Sequence, residues 1–423
     1  MRHIRLFALL SLCLMFTLAC SVSVELTATP PPIGETKPTQ PTQPTQPQQT
    51  PGTEEPTESA SETASEISPL IPQVTGWAIF DASHIPPILS YIPNDGVYTA
   101  RKTALLPEEV IKDGSILLVL GSEVNPLPLY TTSPDFTQRF LYAYNDIKNE
   151  HIFVKQLLDF PTGAASQGRS YAYGVVNNLA DTNLPSEIWG ASYPDAPTML
   201  YHVEGSDYIV LLPLAVDEVD GVLHGVWFTH RPWGIGGDIV FEPMDGLYFL
   251  EAGASTPTQI LEPGKRPCGL SADRHYVAWT DASTGLMVTN LMTGKTLTIP
   301  LDPSSDRGAG NCAFSPANNQ LAWMEGSGYQ MAETPNFTSR IRVVMLFEGG
   351  IQEVMNMPTP SYNLTDILGA PVASLRPQAW LDESRLLLET GWGEYHKLFM
   401  LDINSNSVIQ EVPGALVSVF HSQ

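Results

Sequence analysis

One pattern occurs twice between Gly264 and Glu325, and it limits what the chain can fold into. The first copy runs from Cys268 to Trp279 (CGLSADRHYVAW) and the second from Cys312 to Trp323 (CAFSPANNQLAW). Cys, Ser, Ala and Trp recur in register, 44 residues apart. Each copy reads as a strand, a polar turn and a second apolar strand. A period in the low forties built from short strands predicts an all-β chain, a β-propeller in which each repeat is one four-stranded blade.

The same grammar continues on both sides. Outer hairpins are expected at Leu286–Thr289 with Thr296–Ile299, and at Ile341–Phe347 with Gln352–Val354. A third unit starts at Gln378, and its outer hairpin is Leu398–Ile403 with Val408–Val412. Asp402 falls where Asn290 falls in the earlier unit. Upstream, Tyr171–Val176, Glu187–Ala191, Met199–Val203, Tyr208–Leu212 and Val222–Thr229 have strand composition. Asp238–Glu242 and Gly246–Glu251 are expected to form a hairpin through Pro243-Met244-Asp245-Gly246. Earlier still, Gly76–Phe80, Ile116–Leu120, Phe140–Tyr144 and Ile152–Leu158 are candidate strands. Ile88–Ile92 is expected to turn through Pro93-Asn94-Asp95-Gly96 into Val97–Tyr98, and Pro107–Gly114 to form a short helix.

The Phe314-Ser315-Pro316 segment, its polar turn and Leu321-Ala322-Trp323 resemble the repeat of TolB-type, WD40-like propellers. That repeat carries a Ser-Pro-Asp-Gly turn before an apolar strand. Here Ala317-Asn318 stands where Asp-Gly is usual, with Ala272-Asp273 in the first copy and Leu381-Asp382 in the third. The family resemblance implies six blades, whereas the length from position 74 to 423 accommodates six to eight. Unpaired blade edges invite aggregation, so the ring must close. The terminal segments Val74–Phe80 and Gly414–Phe420 are therefore expected to share one blade.

Three regions follow from composition. Residues 1–19 form a secretory signal peptide: Arg2 and Arg5 precede the apolar run from Leu6 to Ala19, which is too short for a stable membrane span. The run ends in Thr17-Leu18-Ala19-Cys20, which resembles the lipobox of bacterial lipoproteins. That resemblance implies a diacylated Cys20 at the new N-terminus; the alternative is ordinary cleavage that leaves a free thiol. Residues 20–73 form a disordered linker, because its Pro-Thr-Gln repeats favour extended polyproline II and cannot bury a core. A flexible chain of that length reaches about 40 Å. Residues 74–423 form the propeller domain. The expected address is the outer face of the cell membrane.

Charge narrows the partners. The chain has 45 acidic and 21 basic residues, a net charge of −24. Such a surface repels nucleic acid and anionic headgroups, so membrane contact is expected only through the N-terminal lipid. A monomer is expected. The ligand class stays open among protein, peptide and glycan.

Chemical motifs are scarce. Cys268 and Cys312 occupy matched positions of adjacent repeats, and an exported protein can join them in a disulfide. The alternative is two buried thiols beyond bridging distance. No zinc-ligand spacing, serine-hydrolase elbow or EF-hand loop is present, so no metal, cofactor or catalytic residue is expected. His202, His224 and His275 lie in strand patterns and are expected to be structural, and Asp217–Gly221 to be a charged hairpin turn. The most unusual stretch is the loop holding His230, Arg231, Trp233 and Asp238. It combines a cation, an indole, flexible backbone and an acid, and is the candidate ligand loop. Asp238, Glu242, Asp273 and Asp382 are available carboxylates, but chain spacing does not show that any two converge. A non-catalytic binding or scaffolding module is the expected function. The alternative is a propeller hydrolase or lyase acting on polysaccharide.

Overall fold

The repeats form sheets of four antiparallel strands. The computed structural model describes residues 76–420 except 82–87, 94–101, 106–115, 121–128, 133–138, 146–149, 158–159, 177–185, 204–208, 233–244, 282–284, 302–307, 328–337, 348–349, 360–375 and 391–396. The expected helix at Pro107–Gly114 lies outside the described residues, as do Val97–Tyr98 and Asp238–Glu242.

Seven sheets make a seven-bladed propeller. The first blade holds β1 (Gly76–Asp81), β2 (Ile88–Pro93), β3 (Lys102–Leu105) and β28 (Ala415–Phe420). The second holds β4 (Ile116–Leu120), β5 (Leu129–Thr132), β6 (Arg139–Asn145) and β7 (Glu150–Leu157). The third holds β8 (Phe160–Gln167), β9 (Ser170–Val176), β10 (Ser186–Ser192) and β11 (Thr198–Val203). The fourth holds β12 (Ile209–Val219), β13 (Val222–Pro232), β14 (Asp245–Glu251) and β15 (Thr258–Leu261). The fifth holds β16 (Arg266–Leu270), β17 (Tyr276–Asp281), β18 (Gly285–Asn290) and β19 (Thr296–Ile299). The sixth holds β20 (Gly308–Phe314), β21 (Gln320–Ser327), β22 (Thr338–Phe347) and β23 (Gly350–Thr359). The seventh holds β24 (Arg376–Trp380), β25 (Arg385–Thr390), β26 (Lys397–Asp402) and β27 (Ser407–Pro413).

The first strands of neighbouring sheets touch: β28 with β4, β4 with β8, β8 with β12, β16 with β20, β20 with β24, and β24 with β28. The ring closes because β28 pairs antiparallel with β1, Gly76 opposite Phe420. The first and last described strands thus share one blade.

Burial follows radial position. Second strands are covered on both faces, and every residue of β9 is buried. This is why such strands read as unbroken apolar or small-residue runs. Fourth strands face solvent, and in β27 only Val412 is buried. Apolar side chains from facing sheets fill the seams, as where Trp380, Leu386 and Leu388 meet Ala322, Ile341 and Val343.

The third and fourth blades approach most closely through small residues. A Cβ on Gly174 would lie 2.5 Å from the Leu211 carbonyl oxygen, and one on Gly163 would overlap the Leu212 side chain. Side-chain hydroxyls stitch this seam: Thr162 donates to the Leu211 oxygen at 2.7 Å, and Ser186 accepts from the Leu211 N–H at 2.9 Å.

The two opening repeats build the same turn. Ser271 N–H donates to the Tyr276 oxygen and Ser315 N–H to the Gln320 oxygen, at 2.9 and 3.0 Å. Each serine hydroxyl also accepts from the residue-five N–H, Tyr276 and Gln320. The left-handed positions are Arg274 (φ +61°) and Asn318 (φ +57°). The expected alignment of Ala272-Asp273 with Ala317-Asn318 is therefore one residue early, and Arg274 holds the position usually given to glycine. His275 also sits in this turn rather than in a strand. Asp402 and Asn290 both cap outer turns: Asp402 accepts from Asn404 N–H, and Asn290 from Met292 and Thr293 N–H.

Two expected hairpins are replaced. β14 is flanked by β13 and β15, so no edge remains for the Asp238–Glu242 segment. β2 pairs with Lys102–Leu105 in place of Val97–Tyr98. In both cases the described strand takes a partner other than the one the local turn signal suggests.

Candidate functional site

The candidate ligand loop begins inside a strand. His230 and Arg231 belong to β13, opposite Leu211 and Val210 of β12. Trp233 and Asp238 lie outside the described residues. Strand alternation places His230 on the same face as Phe228, toward the third blade, and Arg231 on the face of Trp227, toward the fifth.

His230 ends a row of rings. Its imidazole stacks on Tyr248 of β14, with centroids 4.5 Å apart and planes 23° from parallel. Tyr248 stacks on Phe228 at 5.4 Å, and Phe228 contacts Tyr201 of the third blade at 5.7 Å. His230 and Tyr248 are half-buried. Burial holds the His230 imidazole below its ordinary pKa, and the neighbouring Asp245 carboxylate offsets this only in part. This favours the neutral imidazole. Burial, then Asp245 and Tyr201, push the Tyr248 phenol up. Asp245 itself accepts from the Gly264 N–H at 2.5 Å, which ties the start of β14 to the link between blades four and five. Arg231 is half-buried and has no ion-pair or hydrogen-bond partner among the described residues. Tyr201 and Tyr248 escaped the sequence reading. Their place beside His230 depends on the β13–β14 register, which no local spacing across 233–244 reveals.

The other acids and histidines are held in turns. Ser271, Asp273 and His275 lie together, but in the wrong order for a nucleophile and base. Ser271 Oγ donates to Asp273 Oδ1 at 2.7 Å, and His275 Nδ1 lies 2.9 Å from Asp273 Oδ2. Ser271 is fully buried, and its hydroxyl accepts from the Tyr276 N–H. In the seventh blade, Asp382 accepts from the Ser384 N–H and hydroxyl and from Arg385. Burial acts to raise the Asp382 carboxyl, but these hydrogen bonds outweigh it and hold it below the ordinary carboxylate range. Asp273 and Asp382 occupy turns of different blades with the sixth between them, so the structure does not bring this pair together. Glu242 joins Asp238 outside the described residues. His202 and His224 are exposed strand residues, and His224 lies against Phe249. Among the described residues, no three His, Cys, Asp or Glu side chains group to hold a metal ion.

Asp217–Gly221 is a hairpin turn whose acids bind neighbouring blades. Asp217 accepts from Trp227 Nε1 at 2.7 Å and pairs with Arg274 of the fifth blade. Glu218 accepts from the Arg169 and Ser170 N–H groups of the third blade, at 2.6 and 2.8 Å. The same device joins the sixth and seventh blades, where Glu383 accepts from Ala317 N–H at 2.7 Å. The fifth and sixth are joined covalently: Cys268 and Cys312 form a disulfide, with Cα atoms 5.0 Å apart.

These features define an all-β propeller of seven four-stranded blades. No family model matches the chain, and no curated protein matches it. Solved structures that resemble it share the fold at low identity. A prolyl endopeptidase structure aligns at TM-score 0.51 and 12% identity, over 82% of this chain and 49% of that one. TolB from Acinetobacter baumannii aligns at TM-score 0.39 and 15% identity, over 67% of this chain and 63% of that one. An oligogalacturonate lyase from Vibrio parahaemolyticus aligns at TM-score 0.47 and 11% identity, over 81% and 85%. The chain thus spans about half of the endopeptidase and under two thirds of TolB.

Proposed function

We propose that this propeller is a non-catalytic binding module, exported and held at the outer face of the cell membrane by a lipid on Cys20. Its ligand is a protein, peptide or glycan. The reading is carried by the end of β13, where a half-buried ring stack (His230, Tyr248) lies on one face of the strand and Arg231, without an ion pair among the described residues, on the other. Stacked rings supply rigid contact area at low entropic cost, and a guanidinium supplies directional donors. The acids and serines of the turns favour binding over catalysis, because their polar atoms are already committed to turn and inter-blade hydrogen bonds. The leader and the Pro-Thr-Gln linker support export and tethering.

The test is a glycan and peptide array probed with residues 20–423, alongside the His230→Ala/Tyr248→Ala and Arg231→Ala variants. The expected result is a ligand whose binding falls at least tenfold in these variants without loss of fold. Turnover of a polysaccharide that one carboxylate substitution abolishes would replace this reading with the hydrolase or lyase.

A further inference from the structure

The two ends of the propeller differ in what they carry. One end bears the turns that join first to second and third to fourth strands. Contacts between turns hold this end together: Glu218 on the third blade, Arg274 on the fourth, and Glu383 on the sixth. Large apolar side chains project from it on three consecutive blades. Val219 and Val222 flank the Asp220-Gly221 turn of the fourth blade and are 52% and 62% exposed. Met292 tips the outer turn of the fifth blade at 73%, and Phe347 ends β22 of the sixth at 53%.

The first and last described residues lie at this same end. Gly76 starts β1 opposite Phe420, the last residue of β28. β28 is a first strand and β1 a second strand of their blade, so their missing link lies where the other blades carry a first turn. The backbone therefore enters β1 at the end that presents Val222, Met292 and Phe347.

We infer that this end rests on the lipid bilayer, with Val219, Val222, Met292 and Phe347 entering the headgroup boundary. This rests on the tethered reading for its setting. A contact of four side chains suffices for measurable partitioning onto concentrated vesicles, and tethering strengthens it by making it intramolecular. A linker of about 40 Å keeps the face within reach at high effective concentration. Insertion draws on apolar area and not on charge, because a chain of net charge −24 is repelled by anionic headgroups. The occupant is thus a zwitterionic lipid surface.

The test uses residues 20–423, which contain the whole ring, produced with Cys20→Ser so that no acyl chain contributes. Phosphatidylcholine vesicles are expected to sediment this protein. Met292→Ser with Phe347→Ser is expected to lower the partition coefficient at least tenfold; both side chains are solvent-facing, so thermal unfolding should not move. Phe153→Ser, mid-strand on the second blade, is expected to leave partitioning unchanged. Replacing about a third of the lipid with phosphatidylglycerol should weaken binding, and added salt should restore it. Absence of sedimentation, equal binding by the double variant, or tighter binding to anionic vesicles overturns the inference. Acylation is measured separately, from the mass of the N-terminal peptide of membrane-fraction protein. Failure of the lipid anchor and failure of this face are then distinct results.

Discussion

Arg274 of the fifth blade sets its guanidinium against Asp217 of the fourth, Nε to Oδ1 at 3.1 Å, from a left-handed backbone at φ +61°. The same guanidinium donates to the Ser271, Ala272 and Val216 carbonyl oxygens. A side chain therefore occupies a position that glycine would fill with less strain, because the side chain bridges two blades. Asn318, at the equivalent position, is in the same backbone conformation without that bridge.

Glycine at these two sites should act in opposite directions. Asn318→Gly is expected to be neutral or stabilising by up to about 1 kcal/mol, through relief of the left-handed strain. Arg274→Gly is expected to destabilise by about 2 kcal/mol, because Asp217 and the Val216 oxygen lose a charged donor. Urea unfolding of both variants checks the signs. A double-mutant cycle with Asp217→Asn should return a coupling above about 0.5 kcal/mol.

Reduction should expose the contribution of the Cys268–Cys312 link. Closing a 44-residue loop stabilises by about 4 kcal/mol in the chain-entropy model. Cys268→Ser with Cys312→Ala is expected to lower the unfolding free energy by about that amount, read as a lower denaturant midpoint. Mass spectrometry of an unreduced digest should find the two cysteines in one cross-linked peptide pair.

Glu325 is expected to be one of the most sensitive charged positions. Its side chain is fully buried and meets Arg342 at 3.0 Å and Arg340 at 3.4 Å, while Arg342 continues to Glu353 at 2.8 Å. Arg342 also lies over the Trp323 ring at 5.0 Å and donates to the Pro300 oxygen of the fifth blade. Glu325→Ala leaves a buried guanidinium short of charge and is expected to cost about 3–5 kcal/mol. Exposed Glu411, paired with Lys397, should cost under about 1 kcal/mol when replaced by Ala. Thermal unfolding of the two variants should rank them in that order.

Acid should weaken the fold through Asp382. Its folded pKa lies below the unfolded value, so its contribution is fully present above about pH 4 and is lost as pH falls through the folded value. Asp382→Asn is expected to be less stable than the parent at pH 6 and to show a smaller further loss at pH 3. His230 follows the same sign in a higher window. Its lowered pKa gives stability that is present above about pH 6.5 and is lost on acidification. His230→Phe should flatten the unfolding curve between pH 7 and 5.

Removing Gly414–Gln423 takes away β28 and leaves β1 with an open edge. The truncated chain is expected to lose cooperative unfolding and to aggregate. An unchanged thermal midpoint would show that the first blade does not need its last-made strand.

Legibility varied along the chain for physical reasons. Outer hairpins such as β18–β19 and β26–β27 were readable because adjacent strands pair across a few turn residues. The shared first blade was readable because a ring has no other way to remove its edges. Blade number was not, since the second and third blades lack the Cys and Trp marks of the fifth and sixth. The third blade instead uses Gly163, Ala165 and Gly174 to admit β12, a packing rule that leaves no periodic apolar signal. Arg274 misled for a related reason: its inter-blade bonds are long-range and appear nowhere in the turn itself. At the candidate site, His230 and Arg231 stood out by composition, whereas Tyr248 and Tyr201 became relevant only through register and the facing blade.

The pairing of Gly76 with Phe420 has a consequence for how the molecule is made. During synthesis β1 emerges early, yet its partner is among the last residues to leave the ribosome. Until then the opening hairpin offers a bare edge, and any foreign β-segment can occupy the place reserved for β28. The N-terminal strands therefore stay open to foreign pairing until the C-terminal strand arrives.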